Sequence, residues 1–373
     1  MIPDIPIRLE GRTIYASQVS KLKAPAAWEP YADMPSYAQE VLNFCHQWLQ
    51  GAPTFQQQTS GSTGKPKQIT ITREQMIASA DMTAKALDLQ SGDRALLCLS
   101  ATYIAGKMML VRALETGMSL QAVPPSSQPL DSIHEPVDFM AVVPLQMKSM
   151  LDTGQNQIYQ LLNQMKAVII GGAAVGTELE QVIFQKVACP VYSTYGMTET
   201  VSHVALRRLN GRTRSDYFQI LPGIEAKQDQ RGCLMVRGGV TQHRWLTTND
   251  IVEMQNALQF RWRGRTDNVI NSGGVKIHTE ELERKLESAV SMLGEDRRFF
   301  VAGLEDQQLG QRVCLFVEGK EAPPNQISKV QNWCKNELKV YERPKQIIFV
   351  PHFMQTPTGK TSRSRTIDSL KKD

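Results

Sequence analysis

Apolar residues recur along this chain in two rhythms. Val41, Leu42, Cys45, Trp48 and Leu49 fall at helical spacing after Ser36, which reads as an N-cap, and Gly51 ends the pattern. Thr72 and Gln75 form the sequence pair of a capping box and predict a helix to about Leu87. Ser91-Gly92-Asp93 then turns the chain into an apolar strand over 94–99, followed by a helix over 106–114 and a strand over 119–123. Short apolar runs at 139–143, 167–170 and 191–193 alternate with helix-like stretches at 145–151 and 178–187. Short buried strands alternating with helices predict a parallel α/β sheet, whose ligands bind in loops at the carboxyl edge. Residues 1–35 read as an extended entry with one strand, from about Ile5 to Leu9.

From about residue 205 the pattern turns to β alternation, at 232–238 and again at 258–263, with Thr247-Thr248-Asn249-Asp250 read as a tight turn between them. A junction follows at 264–268. Beyond it, Thr279 caps a helix whose buried face is Leu282, Leu286 and Val290. Strands at 299–303, 312–317 and 346–350 and a helix at 326–338 complete a compact α+β unit of about 100 residues, an ordinary domain size. The expected fold class is therefore α/β: a large N-terminal domain with parallel α/β sheets and a β-rich part, plus a small α+β C-terminal domain.

With 373 residues, 41% hydrophobic and 21% charged, the chain can bury a sizeable core in two domains or more. No apolar run reaches the length that spans a bilayer, and the start of the chain lacks a signal-peptide pattern. The six cysteines are scattered without a Cys-x-x-Cys, which speaks against a zinc site or a disulfide framework and suits a reducing, cytoplasmic setting. A net charge of +5 favours small anions, and no basic stripe interleaved with aromatics suggests nucleic acid.

The strongest candidate chemistry is Thr59-Ser60-Gly61-Ser62-Thr63-Gly64-Lys65-Pro66-Lys67. Glycines let backbone N–H groups point inward as an anion-binding nest, hydroxyls add donors, and Lys65 and Lys67 supply charge. A Walker loop is excluded, because only two residues separate Gly61 from Gly64 and Pro66 follows the lysine. A solvated Ser/Gly turn stays open as the plain alternative. Two strand-to-loop junctions add to it. Gly171-Gly172-Ala173 allows backbone to approach a flat ligand, or is a simple turn. Tyr195-Gly196-Met197-Thr198-Glu199-Thr200, with Thr194 before it as a further nucleotide-site candidate, offers a ring to stack on a base, a hydroxyl for a phosphate oxygen and a carboxylate for Mg²⁺, or merely starts a capped helix. Asp250 can accept hydrogen bonds from ribose hydroxyls, or cap an Asx-turn. Lys360, in Thr356-Pro357-Thr358-Gly359-Lys360, reads alone as a solvated lysine on a Pro/Gly turn.

Taken in order, TSGSTGKPK, GGA, YGMTET, GCLMVRGG, TTND, GRTDNVINSGGVKI and PTGKTSR resemble the motif series of the adenylate-forming enzymes, a superfamily that includes acyl- and aryl-CoA ligases and the adenylation domains of peptide synthetases. The resemblance covers residues 59 to about 363. It implies ATP, Mg²⁺ and coenzyme A as cofactors and co-substrate, and a small-molecule carboxylate as partner. It places residues 59–67 over the β- and γ-phosphates, Gly171–Ala173 and Tyr195 beside adenine, Thr198 at the α-phosphate, Glu199 on Mg²⁺, and Asp250 with Arg265 at ribose. Lys360 matches the lysine inserted during adenylation, and Gly273 and Gly274 match a loop lining the thiol tunnel. Asp267 matches a hinge, which divides the chain into a large domain, 1–266, and a small mobile lid domain, 267–373. Two departures stand out: Asn249 replaces the usual glycine before Asp250, and only 58 residues precede the phosphate loop, so much of the N-terminal subdomain that the resemblance implies is expected to be missing or abbreviated.

Tyr103-Ile104-Ala105-Gly106-Lys107-Met108 and the run from Thr198 to His203 are most similar to the short o-succinylbenzoate–CoA ligases of menaquinone biosynthesis. A dicarboxylate needs a partner for its unreacting carboxylate, and Lys107 or His203 is the candidate; a surface lysine and a packed histidine are the alternatives. Another acyl- or aryl-CoA ligase, a domain loading a carrier protein, and a non-catalytic nucleotide-binding relative remain open, as does a homo-oligomer.

Overall fold

A computed structural model describes residues 2–22, 31–58, 68–294, 297–355 and 361–370. The expected strands before residue 266 meet in one mixed sheet of 13 strands. Its centre is parallel: Pro6–Leu9, Ser119–Ala122, Arg94–Leu97, Phe139–Val142, Ala167–Ile170 and Val191–Gly196 lie side by side. In Arg94–Leu97, Phe139–Val142 and Ala167–Ile170 successive residues enter different cores. Ala95, Leu97, Phe139, Ala141, Ala167 and Ile169 face one side, while Leu96, Met140, Val142, Val168 and Ile170 face the other. That is why they read as unbroken apolar runs.

Beyond Val191–Gly196 the sheet is antiparallel, through His203–Arg208, Phe218–Ile220, Gln259–Arg265, Leu246–Asn256, Cys233–Arg237 and Glu225–Gln228. The reason is connection length. A parallel crossover takes a dozen residues or more, and the link from Gly196 to His203 is far shorter. Thr247–Asp250, expected as a turn, instead lies inside the long strand Leu246–Asn256, which pairs with Gln259–Arg265.

Chain order reverses at Arg94–Leu97, which has Ser119–Ala122 on one side and Phe139–Val142 on the other. Such a switch opens a crevice at the carboxyl ends of the strands. Helix Ile104–Thr116 walls it, and helix Arg73–Leu87 packs against that helix. Arg73–Leu87 starts at the predicted capping box, with Gln75 N donating to Thr72 Oγ1 at 3.3 Å and Thr72 N to Gln75 Oε1 at 3.0 Å. Ile104–Thr116 starts two residues earlier than expected and ends at Gly117 in left-handed geometry, φ 82°. Gly106 brings this helix against the preceding loop: a Cβ there would stand 2.1 Å from the Ser100 carbonyl oxygen. Helix Ser36–Leu49 is present, with Ser36 as its first residue and Pro35 in the cap position. The strand Arg12–Tyr15 and the helices Ala16–Ser20 and Asn156–Asn163 were not expected.

The C-terminal part has its own five-stranded sheet and core, with helices Thr279–Val290 and Pro324–Glu337 on one face. Its hairpin pairs Ser272 with Val275 across Gly273 and Gly274, both at positive φ (59° and 81°), as a two-residue turn of the primed type requires. The two parts meet through helix Thr279–Val290. Arg263 pairs with Glu281 at 2.9 Å, and Thr177 N donates to Glu287 at 2.9 Å. Among the described residues, no helix is long and apolar enough to cross a membrane.

Gly106→Ala is expected to destabilise the protein by about 1–3 kcal/mol, because backbone on both sides must move to admit the methyl group. Thermal or denaturant unfolding checks this, and an unchanged midpoint would mean that the helix shifts freely.

Candidate active site

A cavity of about 1100 Å³ occupies the crevice. Gly171, Gly172 and Ala173 line it from the end of Ala167–Ile170, and Thr194, Gly196, Met197 and Thr198 from the neighbouring strand and the short 3₁₀ turn Thr198–Thr200. Gly171 is needed here, since a Cβ would come within 2.6 Å of Thr194 Oγ1. Gln57 and Gln68 line the cavity from a hairpin in which Thr54–Gln58 pairs with Gln68–Thr72. The predicted phosphate loop, Thr59, Ser60, Gly61, Ser62, Thr63, Gly64, Lys65 and Lys67, joins those two strands; it and Lys360 lie outside the described residues.

Tyr195 does not line this cavity. Side chains alternate along a strand, so Tyr195 points away from Thr194 and meets Phe218 and Phe260 edge-on. Its hydroxyl donates to Asp250 Oδ2 at 2.7 Å, and Trp262 Nε1 donates to Asp250 Oδ1 at 3.3 Å. Burial and then the Asp250 carboxylate push the Tyr195 phenol well above its usual range, so it remains a donor. Strand register sets Asp250 opposite Arg265, whose guanidinium lies 3.7 Å from Asp250 Oδ1 and 2.8 Å from Asp267. Asp250, Arg265 and Asp267 thus form one cluster, and Trp262 joins it without having been foreseen.

The largest surprise is Arg112. It lies on the inner face of Ile104–Thr116, only 2% exposed, yet it lines the cavity. No carboxylate faces it among the described residues. One guanidinium nitrogen donates to Ser202 Oγ at 2.7 Å, another lies 3.9 Å from Met109 Sδ, and Nε has no partner. Burial lowers its pKa to about 9, which leaves it charged at neutral pH. Its only sequence signal was an arginine inside the apolar run from Met108 to Leu114.

Lys107 and His203 land differently. The Lys107 ammonium donates to Gln57 Oε1 at 2.9 Å and to the Gln56 carbonyl at 3.1 Å; both glutamines line the cavity, but Lys107 itself does not. His203 lines the cavity but is 5% exposed, and both ring nitrogens are engaged, with Ser202 Oγ at 3.2 Å and Thr83 Oγ1 at 3.1 Å. Burial, then the charge of Arg112, holds its pKa well below the usual histidine value.

Glu199 is exposed beside Thr198 and has no hydrogen bond or ion pair among the described residues. Those residues contain no group of three potential metal ligands. One free carboxylate fits Mg²⁺ of the kind whose other ligands are water and substrate phosphates. Gly273 and Gly274 lie on their hairpin in the C-terminal sheet, away from the cavity wall.

The model of the AMP-binding enzyme family matches residues 16–239, and that of the AMP-binding enzyme C-terminal domain matches 285–360. A 2-succinylbenzoate–CoA ligase from Geobacillus sp. is 28% identical over 337 residues, covering 82% of this chain and 66% of that protein. An acyl-CoA synthetase (AMP-forming)/AMP-acid ligase II-like protein from Dyadobacter fermentans, known by crystal structure, is 42% identical, with TM-score 0.60 over 90% of this chain and 95% of that one. O-succinylbenzoate coenzyme A synthetase from Bacillus subtilis, solved with ATP and magnesium ion, shares the fold at 23% identity, with TM-score 0.69 over 84% of this chain and 69% of that one. The chain spans about two thirds of the length of the curated relatives it matches.

The buried His203 gives a pH dependence with a defined sign. Below about pH 6.5 the unfolded chain takes up a proton that the folded chain refuses, so stability falls as the pH falls. Between pH 7.5 and 5.5 the wild type is expected to lose about 1.4 kcal/mol more than His203→Gln. Denaturant midpoints at the two pH values check this; equal losses would show that His203 accepts the proton within the fold.

Proposed function

This chain belongs to the AMP-binding enzyme family, and we propose that it is an ATP-dependent acid–thiol ligase acting on o-succinylbenzoate. The observation that carries the choice of acid is Arg112, a buried guanidinium in the cavity with no carboxylate opposite it. An aromatic acid with a second carboxylate supplies that partner, and a charge-assisted pair in a dry site is strong. The 28%-identical 2-succinylbenzoate–CoA ligase supports the same reading. A different acid is the second reading, favoured by the general name of the 42%-identical relative.

In this proposal the reacting carboxylate attacks the α-phosphorus of ATP and pyrophosphate leaves, forming an acyl-adenylate. A thiol, that of coenzyme A, then attacks the acyl carbon and AMP leaves. The first step brings two anions together, so positive charge and donors are needed where negative charge grows. Thr198, on the cavity wall, would donate to an α-phosphate oxygen. Gly171–Ala173 would pass against adenine, and Asp250, held by Tyr195 and Trp262, would take ribose hydroxyls beside Arg265. Glu199 would hold Mg²⁺, which offsets phosphate charge when bound. To Lys360 and residues 59–67 we assign the attacking-site cation and the phosphate cradle. Domains bounded at 266 and 267, turning about Asp267, would let Gly273 and Gly274 replace Lys360 for the thiol step.

Pyrophosphate release with MgATP is expected to be fastest with o-succinylbenzoate among o-succinylbenzoate, benzoate, a fatty acid and an amino acid, and to yield a CoA thioester. Preference for another acid discards o-succinylbenzoate; release that never depends on CoA points to a carrier-protein acceptor. Lys360→Ala is expected to lower adenylate formation by about 100-fold or more, while transfer from a supplied acyl-adenylate to CoA continues.

Arg112→Met is expected to raise KM for o-succinylbenzoate by about 30-fold or more without lowering the melting temperature. Removing the guanidinium leaves the substrate charge unpaired, yet it relieves the empty protein of a buried charge. An unchanged KM would refute the role given to Arg112.

A further inference from the structure

Behind Arg112 runs a line of hydrogen bonds whose direction is fixed at both ends. An arginine nitrogen can only donate, so Ser202 Oγ accepts from Arg112 at 2.7 Å. A serine has one hydrogen to give, and the neighbour at 3.2 Å is His203 Nδ1. At the far end, Thr83 Oγ1 donates to the Ser79 carbonyl, which can only accept, at 2.9 Å. Thr83 therefore accepts from His203 Nε2 at 3.1 Å. The neutral ring with its proton on Nε2 satisfies every link: Arg112 to Ser202 to His203 Nδ1, and His203 Nε2 to Thr83 to Ser79. The other tautomer would set the Nδ1 proton against the serine hydrogen and leave two acceptors facing each other.

We propose that Thr83 and His203 are positioning residues that fix the direction of the Ser202 hydroxyl and so aim Arg112 at the second anionic group of the acid. Thr83 is fully buried on Arg73–Leu87 and does not line the cavity. His203 lines the cavity, but its ring nitrogens are spent on the chain rather than free for substrate. The device links helices Arg73–Leu87 and Ile104–Thr116 to the strand His203–Arg208 across the cavity floor. The inference rests on Arg112 taking that anionic group.

The test uses the full chain with o-succinylbenzoate and benzoate. Thr83→Val, which keeps the shape but removes the link, is expected to raise KM for o-succinylbenzoate by about 5-fold and to leave KM for ATP and the parameters for benzoate within 2-fold. Thr83→Ser is expected to restore the wild-type KM. In the wild type, ¹⁵N NMR of the His203 ring is expected to show the Nε2–H tautomer, a measurement that needs no variant to fold. An Nδ1–H or doubly protonated ring overturns the proposal. So does an unchanged KM in Thr83→Val when Arg112→Met raises it. No effect from Arg112→Met removes instead the reading on which the proposal stands.

Discussion

A parallel strand buried on both faces has no place for polar chemistry except its ends. Three such strands, Arg94–Leu97, Phe139–Val142 and Ala167–Ile170, lie in the parallel part of the large sheet, and their side chains are divided between two dry cores. Reversal of strand order at Arg94–Leu97 keeps one part of the carboxyl edge uncovered, and the cavity lies there. The part of the site built from strand ends follows from that constraint. The glycines at 171 and 172, Thr194 and Thr198 stand at strand ends because those are the positions free of core packing.

Arg112 is the exception, since it reaches the cavity from within an apolar helix. A guanidinium there costs free energy as long as no anion meets it, and its hydrogen bonds to neutral groups only soften that cost. The empty protein therefore holds an electrostatic preference before any substrate arrives. In the proposed role, Arg112 would select an anionic group without help from Lys107. Lys107 and Arg112 lie five residues apart, roughly 140° around the helix, so one faces the glutamine hairpin and the other the cavity.

Much of the fold was legible because local signals agreed with tertiary packing. The capping box at Thr72 and Gln75 set the start of Arg73–Leu87, and the strands Ala167–Ile170 and Gln346–Val350 appear at the expected residues. Asn156–Asn163 escaped notice because its eight residues hold a single i, i+3, i+4 set, Ile158, Leu161 and Leu162, too short a stretch to establish a period from sequence. In the Thr247–Asp250 stretch the local turn signal is overridden by pairing on both sides, Thr247 with Met235 and Asp250 with Arg265. For the site, linear motifs marked residues at strand ends but not what lies behind them. Tyr195 and Asp250 are 55 positions apart and Thr83 and His203 are 120 apart, so their contacts exist only once the sheet is built.

The Asp250 cluster carries a consequence in the counting of acceptor positions. A carboxylate offers about four lone-pair sites, and Tyr195 and Trp262 occupy one on each oxygen. The vacancies that remain are about two, the number that the neighbouring hydroxyls of a ribose fill. Asp250 is 7% exposed, so water reaches it poorly. In the proposed ribose-binding role, a sugar lacking one hydroxyl would leave an acceptor dry in that enclosure, so Asp250 would separate ribonucleotides from deoxyribonucleotides.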